Sequence, residues 1–412
     1  LILFLFFIRA ASFPTQGLHE PSPEYRRFEG DIILSDEDLN VIREKRGAPD
    51  VQNPSKKWPI DQVISFRIEG AYNADFVKMI RNAFQFWSDN TCLSYQENGP
   101  TIPYIRILKG NDCSSQLGRQ AGYQNQILNL DTGCNTVGTI VHEIAHSIGL
   151  AHTQMRSDRD SYVTINRNNM NPAATRNFDK MLPQNNNNFG VEYDYSSVMH
   201  YDPYGFAINE DIPVLMAVDP NAQWSMGQRE RAAFSDIKMI NSLYNCGQKC
   251  PSPSVRCQNG GIINSKTCSS CLCPYMFTGI DCSLRHPGRG FYAKPGCGAD
   301  LTATESWQNV KGSFGSPYLQ YKENVSECYW NFKGSVGRRI EIRLNTSDLF
   351  CDNGCNWNGM EVFTKGFING GYRFCCPEQY IGKVFQSMDN ALSIRVFSSY
   401  GTPGLNVDYR MI

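Results

Sequence analysis

Residues 142–154 read HEIAHSIGLAHTQ, a stretch holding three of the six histidines in the chain. His142 and His146 stand four apart, so a helix through them puts both imidazoles on one face, a turn apart. Two imidazoles so placed bind one zinc ion, and Gly149 lets the chain leave the helix sharply enough for His152 to return as a third ligand. Three neutral imidazoles leave the fourth position to water, the arrangement of a catalytic site. Glu143 projects to a neighbouring face, able to reach that water without ligating the metal. A helix with solvated histidines is the simpler reading of any one of these residues. The whole pattern H-E-x-x-H-x-x-G-x-x-H, however, arises from this composition with a probability on the order of 10⁻⁵ or less.

The elements that must hold this stretch are legible on both sides of it. KKWPIDQVISFRIEG reads as an entering strand in which Ile64, Phe66 and Ile68 alternate. Asn73 caps a helix whose Phe76, Ile80, Ala83, Phe84 and Trp87 form one apolar stripe. Two strand-like runs, YIRILKG and NQILNLD, precede the histidine helix, which runs from about Val137 and stops at Gly149. QNNNN at 184–188 is a low-complexity surface loop, and a last helix around Ser235 to Tyr244 closes at Cys246. The pattern is that of an α+β unit of about 200 residues.

Composition sets the compartment. Lys+Arg 39 against Asp+Glu 40 leaves a formal charge of −1, which gives no electrostatic reason to expect nucleic acid or an anionic membrane as partner. The sixteen cysteines, twelve of them after residue 249, point to an oxidising, extracellular setting. LILFLFFI followed by RAASF reads as a signal peptide over residues 1–12, whose own start is expected to lie upstream of Leu1. No other long apolar run offers a membrane span. Residues 13–46 are polar and end in REKR, a site for a proprotein convertase cutting between Arg46 and Gly47.

Two smaller modules follow. Residues 250–282 carry six cysteines in too short a block to fold on core packing, and six cysteines allow fifteen pairings. From Cys297 onward, runs such as RRIEIRL, GMEVFTK and LSIRVFSS alternate between Gly-rich breaks, the pattern of an all-β sandwich. Asn324 and Asn345 head N-x-S/T sequons there.

The histidine pattern is the metzincin signature, and YSSVMHYDP supplies the downstream methionine turn, with Met199 in it and Tyr201 two residues on. The form S-x-M-H-Y, with RSDRD after the third histidine, resembles the astacin family from about Trp58 to Cys246. The resemblance implies that His142, His146 and His152 hold Zn2+, one ion per catalytic domain. It implies that Glu143 is the general base and that Tyr201 rests on zinc and swings out to stabilise the oxyanion. It implies a structural Met199 and bridges Cys92–Cys246 and Cys113–Cys134. FEGDI at 28–32 resembles the family's propeptide motif F-x-G-D, which implies that Asp31 takes the place water needs and keeps the precursor silent. Thr153 departs from the family, which carries Glu there to meet the buried new N-terminus through a water-linked ion pair. Activity is therefore expected not to depend on that ion pair.

CLCPYMFTGIDC resembles the epidermal growth factor module, implying Cys250–Cys268, Cys257–Cys271 and Cys273–Cys282. The segment CGQK lacks the acidic residues of the calcium-binding variant, so no calcium is expected there. The last segment, with CYWNF after its first cysteine, resembles a CUB domain and implies Cys297–Cys328. Cys351, Cys355, Cys375 and Cys376 supply two more bridges. A nested Cys351–Cys376 and Cys355–Cys375 is preferred and the other pairings stay open. FSSYGTPG lacks the Asp of calcium-binding CUB domains, so no calcium site is expected there either.

The expected fold is multidomain: an α+β metzincin domain with an N-terminal mixed sheet, an active-site helix and a C-terminal subdomain carrying the methionine turn, then an EGF-like module and a CUB sandwich. The expected boundaries are signal peptide 1–12, propeptide 13–46, peptidase 47–246, EGF-like 247–283, linker 284–296 and CUB 297–412. The expected function is a secreted, zymogenic zinc endopeptidase of extracellular proteins, with matrix or cuticle components as candidates by family analogy. The alternative is a catalytically silent binding protein using its EGF and CUB modules, against which the intact Glu143, three ligands and Tyr201 argue.

Overall fold

A computed structural model describes residues 26–34, 38, 53–290, 297–313, 315, 325–346 and 349–412. The expected signal peptide, the expected Arg46–Gly47 cleavage site and the Asn324 sequon lie outside the described residues. Strands β1 (Arg26–Phe28), β2 (Ile32–Leu34), β3 (Ile64–Ile68), β4 (Tyr95–Glu97), β5 (Tyr104–Leu108), β6 (Ser114–Gln116) and β7 (Asn125–Asn129) form one sheet, ordered β1-β2-β6-β7-β5-β3-β4. It is mixed: β4, β3, β5 and β7 run parallel, and β6 runs against β7. Helix α1 (Ala74–Asn90) is capped by Asn73, whose Oδ1 accepts from the Phe76 amide at 2.8 Å, and it buries Phe76, Ile80, Ala83, Phe84 and Trp87.

Helix α2 (Val137–Ser147) carries the histidines, and everything from Gly138 to Ser147 is buried. Thr136 caps its start, accepting from the Thr139 amide at 3.1 Å. Two indoles hold its backbone: Trp87 Nε1 donates to the Val141 carbonyl at 3.0 Å and Trp58 Nε1 to that of Ser147 at 2.8 Å. Gly138 is needed for close approach, since a Cβ there would lie 1.9 Å from the Arg229 carbonyl oxygen. A helix enclosed on every side has no wet face for its histidines. They must find partners inside the protein.

Beyond α2 the chain forms a second subdomain with β8 (Val163–Ile165), β9 (Leu215–Ala217) and α3 (Phe234–Leu243). Disulfides Cys92–Cys246 and Cys113–Cys134 cross-link this N-terminal α+β domain. The EGF-like module has hairpins β10 (Ile262–Ile263) with β11 (Cys271–Leu272) and β12 (Phe277–Thr278) with β13 (Leu284–Arg285). Its bridges are Cys250–Cys268, Cys257–Cys271 and Cys273–Cys282. Its second hairpin thus runs to Arg285, into the segment expected to be linker, and Arg289 exchanges backbone hydrogen bonds with Glu327 of the CUB domain. Residues 284–290 are therefore structure rather than free connection, because the amides of His286 and Arg289 are paired with the EGF-like module and the CUB domain.

The CUB sandwich comprises β14 (Gly298–Thr302), β15 (Gln308–Ser313), β16 (Ser326–Lys333), β17 (Ile340–Leu344), β18 (Asn358–Phe363), β19 (Tyr372–Phe374), β20 (Val384–Gln386), β21 (Ala391–Ser398) and β22 (Gly404–Met411). Its sheets are ordered β14-β16-β21-β18-β19 and β15-β22-β17-β20. Cys297–Cys328, Cys351–Cys376 and Cys355–Cys375 are bonded. Exposed Asn345 lies just past β17. Among the described residues no helix is long and apolar enough to cross a membrane.

The central strands of the first CUB sheet, β16, β18 and β21, are buried on both faces. Inward, Cys328, Trp330, Phe332, Met360, Val362, Ile394 and Val396 make the sandwich core. Outward, Glu327, Glu361, Arg373 and Arg395 meet Glu230 and Arg231 of the N-terminal domain. Arg395 lies 2.8 Å from Glu230 and 3.1 Å from Glu361, and Arg373 lies 2.7 Å from Glu361. Arg231 lies 3.2 Å from Glu327 and stacks 3.5 Å over the Tyr275 ring of the EGF-like module. Half-exposed Arg289 pairs with Glu327 at the rim. Three guanidiniums and three carboxylates therefore balance inside the interface. Nearby, Gly370 packs on Ser196, where a Cβ would come within 2.3 Å, and its amide donates to Asp194 at 3.0 Å.

Candidate metal centre and active site

Each imidazole is oriented by what its Nδ1 touches. His142 Nδ1 donates to the Val198 carbonyl at 2.7 Å, and His146 Nδ1 to the Leu150 carbonyl at 2.7 Å. Gly149, at φ +101°, turns the chain so that the Leu150 carbonyl comes back beneath the helix. His152 Nδ1 bonds Glu29 Oε2 at 2.6 Å. With the Nδ1 positions committed, the three Nε2 lone pairs point the same way. His142 and His146 Nε2 stand 3.1 Å apart, and Asp31 Oδ2 lies 3.2 Å from Nε2 of both His142 and His152. These four ligand atoms lie within 4.8 Å of one another. Lone pairs and a carboxylate so gathered repel unless a cation sits among them, and three nitrogens with one oxygen suit tetrahedral zinc. The residues present fit that metal.

Electrostatics keeps His142 and His146 in ligand form, while for His152 burial is outweighed by the Asp31 and Glu29 carboxylates, which push it up to about 9, so zinc must displace its Nε2 proton. Burial pulls His142 down to about 4 and His146 well below the usual imidazole range, so both are neutral. Burial opposes charge on Asp31 too, but the facing histidines, His152 foremost, hold its carboxyl well below the usual carboxylate range. Burial pushes the Glu29 carboxyl up to about 7, against the pull of the His152 imidazole.

Beneath the ligands lies the methionine turn. Met199 is buried, and its carbonyl accepts from the Thr153 amide at 3.0 Å. Asp236, in the first turn of α3, accepts from the Val198 amide at 2.9 Å, Ser197 Oγ at 2.6 Å and the Ala233 amide at 2.8 Å. One carboxylate thus caps α3 and holds the turn whose Val198 carbonyl aims His142. Thr153 Oγ1 donates to Ser197 Oγ at 2.8 Å, extending the chain Thr153–Ser197–Asp236. Tyr201 packs 4.6 Å from the His152 ring, and its hydroxyl donates to the Glu29 carbonyl. Glu143 is buried on α2 beside His142.

The structure brings together His142, His146, His152, Glu143, Met199, Tyr201 and Asp31, all named from sequence. Sequence reading missed two residues. Glu29 sits inside the quoted FEGDI, where the motif marks only the Asp for a role. Arg229 donates to the His200 carbonyl at 3.1 Å and places its charge within the field of Asp31, Glu143 and Tyr201. No local pattern marks it.

A helix with two histidine ligands, a third after a glycine turn and a methionine turn beneath define a zinc peptidase of the metzincin type. The family model for the astacin peptidases matches residues 50–245. Zinc metalloproteinase nas-28 of Caenorhabditis elegans is 33% identical over 411 residues, covering 96% of this chain and 81% of that protein. Zinc metalloproteinase nas-27 of the same organism is 32% identical, covering 94% of each. Among solved structures, the hatching enzyme HCE-1 of Oryzias latipes is 37% identical over 44% of this chain and 89% of its own, with a TM-score of 0.41. The chain belongs to the astacin family and is a zinc metalloendopeptidase.

Proposed function

We propose that the protein is secreted as a latent precursor which, once cut between Arg46 and Gly47 by a proprotein convertase, hydrolyses peptide bonds of extracellular proteins. Residues 1–12 are the signal peptide, 13–46 the prosegment, 47–246 the peptidase domain, 247–283 the EGF-like module, 284–296 its connection onward and 297–412 the CUB domain. The observation that carries the reading is the convergence of three Nε2 atoms with the Asp31 carboxylate on one point. When bound, zinc supplies a Lewis acid for the scissile carbonyl and lowers the pKa of water toward about 7. Glu143 takes the proton of the attacking water and passes it to the leaving amine. The Tyr201 hydroxyl, already within the site, donates to the oxyanion once free of Glu29. Asp31 fills the approach to the ligands until the prosegment leaves. Asn324 and Asn345 are glycan acceptors on the CUB domain.

Three proteins test this on casein gels: wild-type precursor, convertase-treated precursor and the Asp31→Ala precursor. The treated enzyme is expected to cleave casein fully and the Asp31→Ala precursor partially, since Glu29 still holds Tyr201 there, and a chelator should abolish both activities. A silent Asp31→Ala precursor of normal zinc content would overturn the role given to Asp31.

Thr153 carries a separate expectation. Its hydroxyl is engaged by Ser197 and brings no charge for a new amine to meet. Adding two residues before Gly47 is therefore expected to change kcat/KM less than about twofold, well inside 1 kcal/mol. A hundredfold loss would show that the new N-terminus is required.

A further inference from the structure

Removal of the prosegment takes away more than Asp31. The hairpin β1–β2 turns through Glu29 and Gly30, both at positive φ, +56° and +84°. Glycine accepts that conformation freely, whereas a residue with a Cβ does so at a cost. The strained position is filled by glutamate, and the turn drives its side chain fully into the protein, onto His152 Nδ1 at 2.6 Å. The Glu29 amide donates to Asn177 Oδ1 at 3.1 Å, and its carbonyl accepts from the Tyr201 hydroxyl. One residue thus engages the back of a metal ligand, the oxyanion donor and the loop beside them. A turn needs none of these contacts.

We propose that Glu29 is a second latch of the precursor, one that holds the metal in place while Asp31 blocks it. This rests on residues 13–46 being a removable prosegment with Asp31 facing zinc. A carboxylate behind an imidazole fixes the ring and raises the basicity of the nitrogen that meets the metal. For His142 and His146 that support comes from main-chain carbonyls of the peptidase domain and survives processing. For His152 it comes from the prosegment and is lost with it. Zinc is therefore bound more firmly in the precursor than in the mature enzyme, and loading belongs to the precursor stage. Cleavage releases Tyr201 in the same event.

The test reads zinc release into a chromogenic chelator, pyridylazoresorcinol, from full-length precursors carrying Glu29→Gln, Glu29→Ala, Glu29→Gly or Asp31→Ala. All yield the same mature sequence on cutting after Arg46, so equal activity after conversion certifies folding. Glu29→Ala is expected to release zinc about 10–100-fold faster than the wild-type precursor. Glu29→Gly, which relieves the backbone, should release it just as fast, and Glu29→Gln should fall between. If Glu29→Gly holds zinc as well as wild type, the glutamate serves only the turn and the second latch is wrong. Failure of the prosegment reading looks different: Asp31→Ala would then also match wild type in zinc release and remain latent.

Discussion

Replacing Glu143 by Gln is expected to lower kcat/KM for peptide hydrolysis by about 10²–10⁴-fold with zinc content unchanged. Glu143 is buried and next to a ligand, yet it is not among the ligand atoms that converge on the site. Gln preserves its volume and hydrogen-bonding reach but cannot accept a proton from water. Parallel metal analysis and kinetics on a fluorogenic peptide separate the roles. Zinc lost in step with activity would make Glu143 a structural support, and undiminished activity would remove it as the base.

The second large effect lies at the CUB interface. Glu230→Ala is expected to cost about 3–5 kcal/mol, because Arg395 and Arg373 are left buried with too little negative charge. Burial would raise the Glu230 carboxyl, but Arg395, Arg231 and Arg373 hold it at about 2. Its folded value lies below the ordinary 4.5, so its contribution is complete above that pH and fades as pH falls toward about 2. The wild-type interface should therefore survive at pH 4. The loss in Glu230→Ala should appear first as undocking, since the cluster lies between domains and outside either core. Thermal unfolding together with protease sensitivity between the EGF-like and CUB modules would show it. Adding Arg373→Met should return part of the loss by restoring balance. An unchanged profile for Glu230→Ala would mean the cluster does not hold the domains together.

Local physics makes the site readable. Helical spacing puts His142 and His146 together, and only a glycine turn at Gly149 brings His152 back to them. Glu29 and Arg229 are not readable, because each acts on a residue more than a hundred positions distant or through a field set by the assembled fold. Strand β16, which carries Glu327 on one face and Trp330 and Phe332 on the other, shows the same limit. Alternating polar and apolar residues in β16 look like a half-solvated strand, and nothing local tells solvent from a second domain. The connection at 284–296 reads as a linker for that reason too. Among the CUB cysteines, Cys375 and Cys376 are neighbours, so spacing alone does not separate the nested pairing from the crossed one.

The β1–β2 hairpin also governs how the molecule can be stored. Strand β2 covers β6, pairing Ile32 with Ser115, and Phe28, Ile32 and Leu34 pack on Leu117, Met155 and Met181. If the hairpin is cut away as proposed, β6 becomes the rim of the sheet and Leu117, Met155 and Met181 lose their cover. An open strand edge with an apolar floor recruits extended chains, other copies of the enzyme included. Under the proposed activation, the form that keeps the hairpin is the one whose sheet edge is covered, and its loss would leave that edge open to self-association.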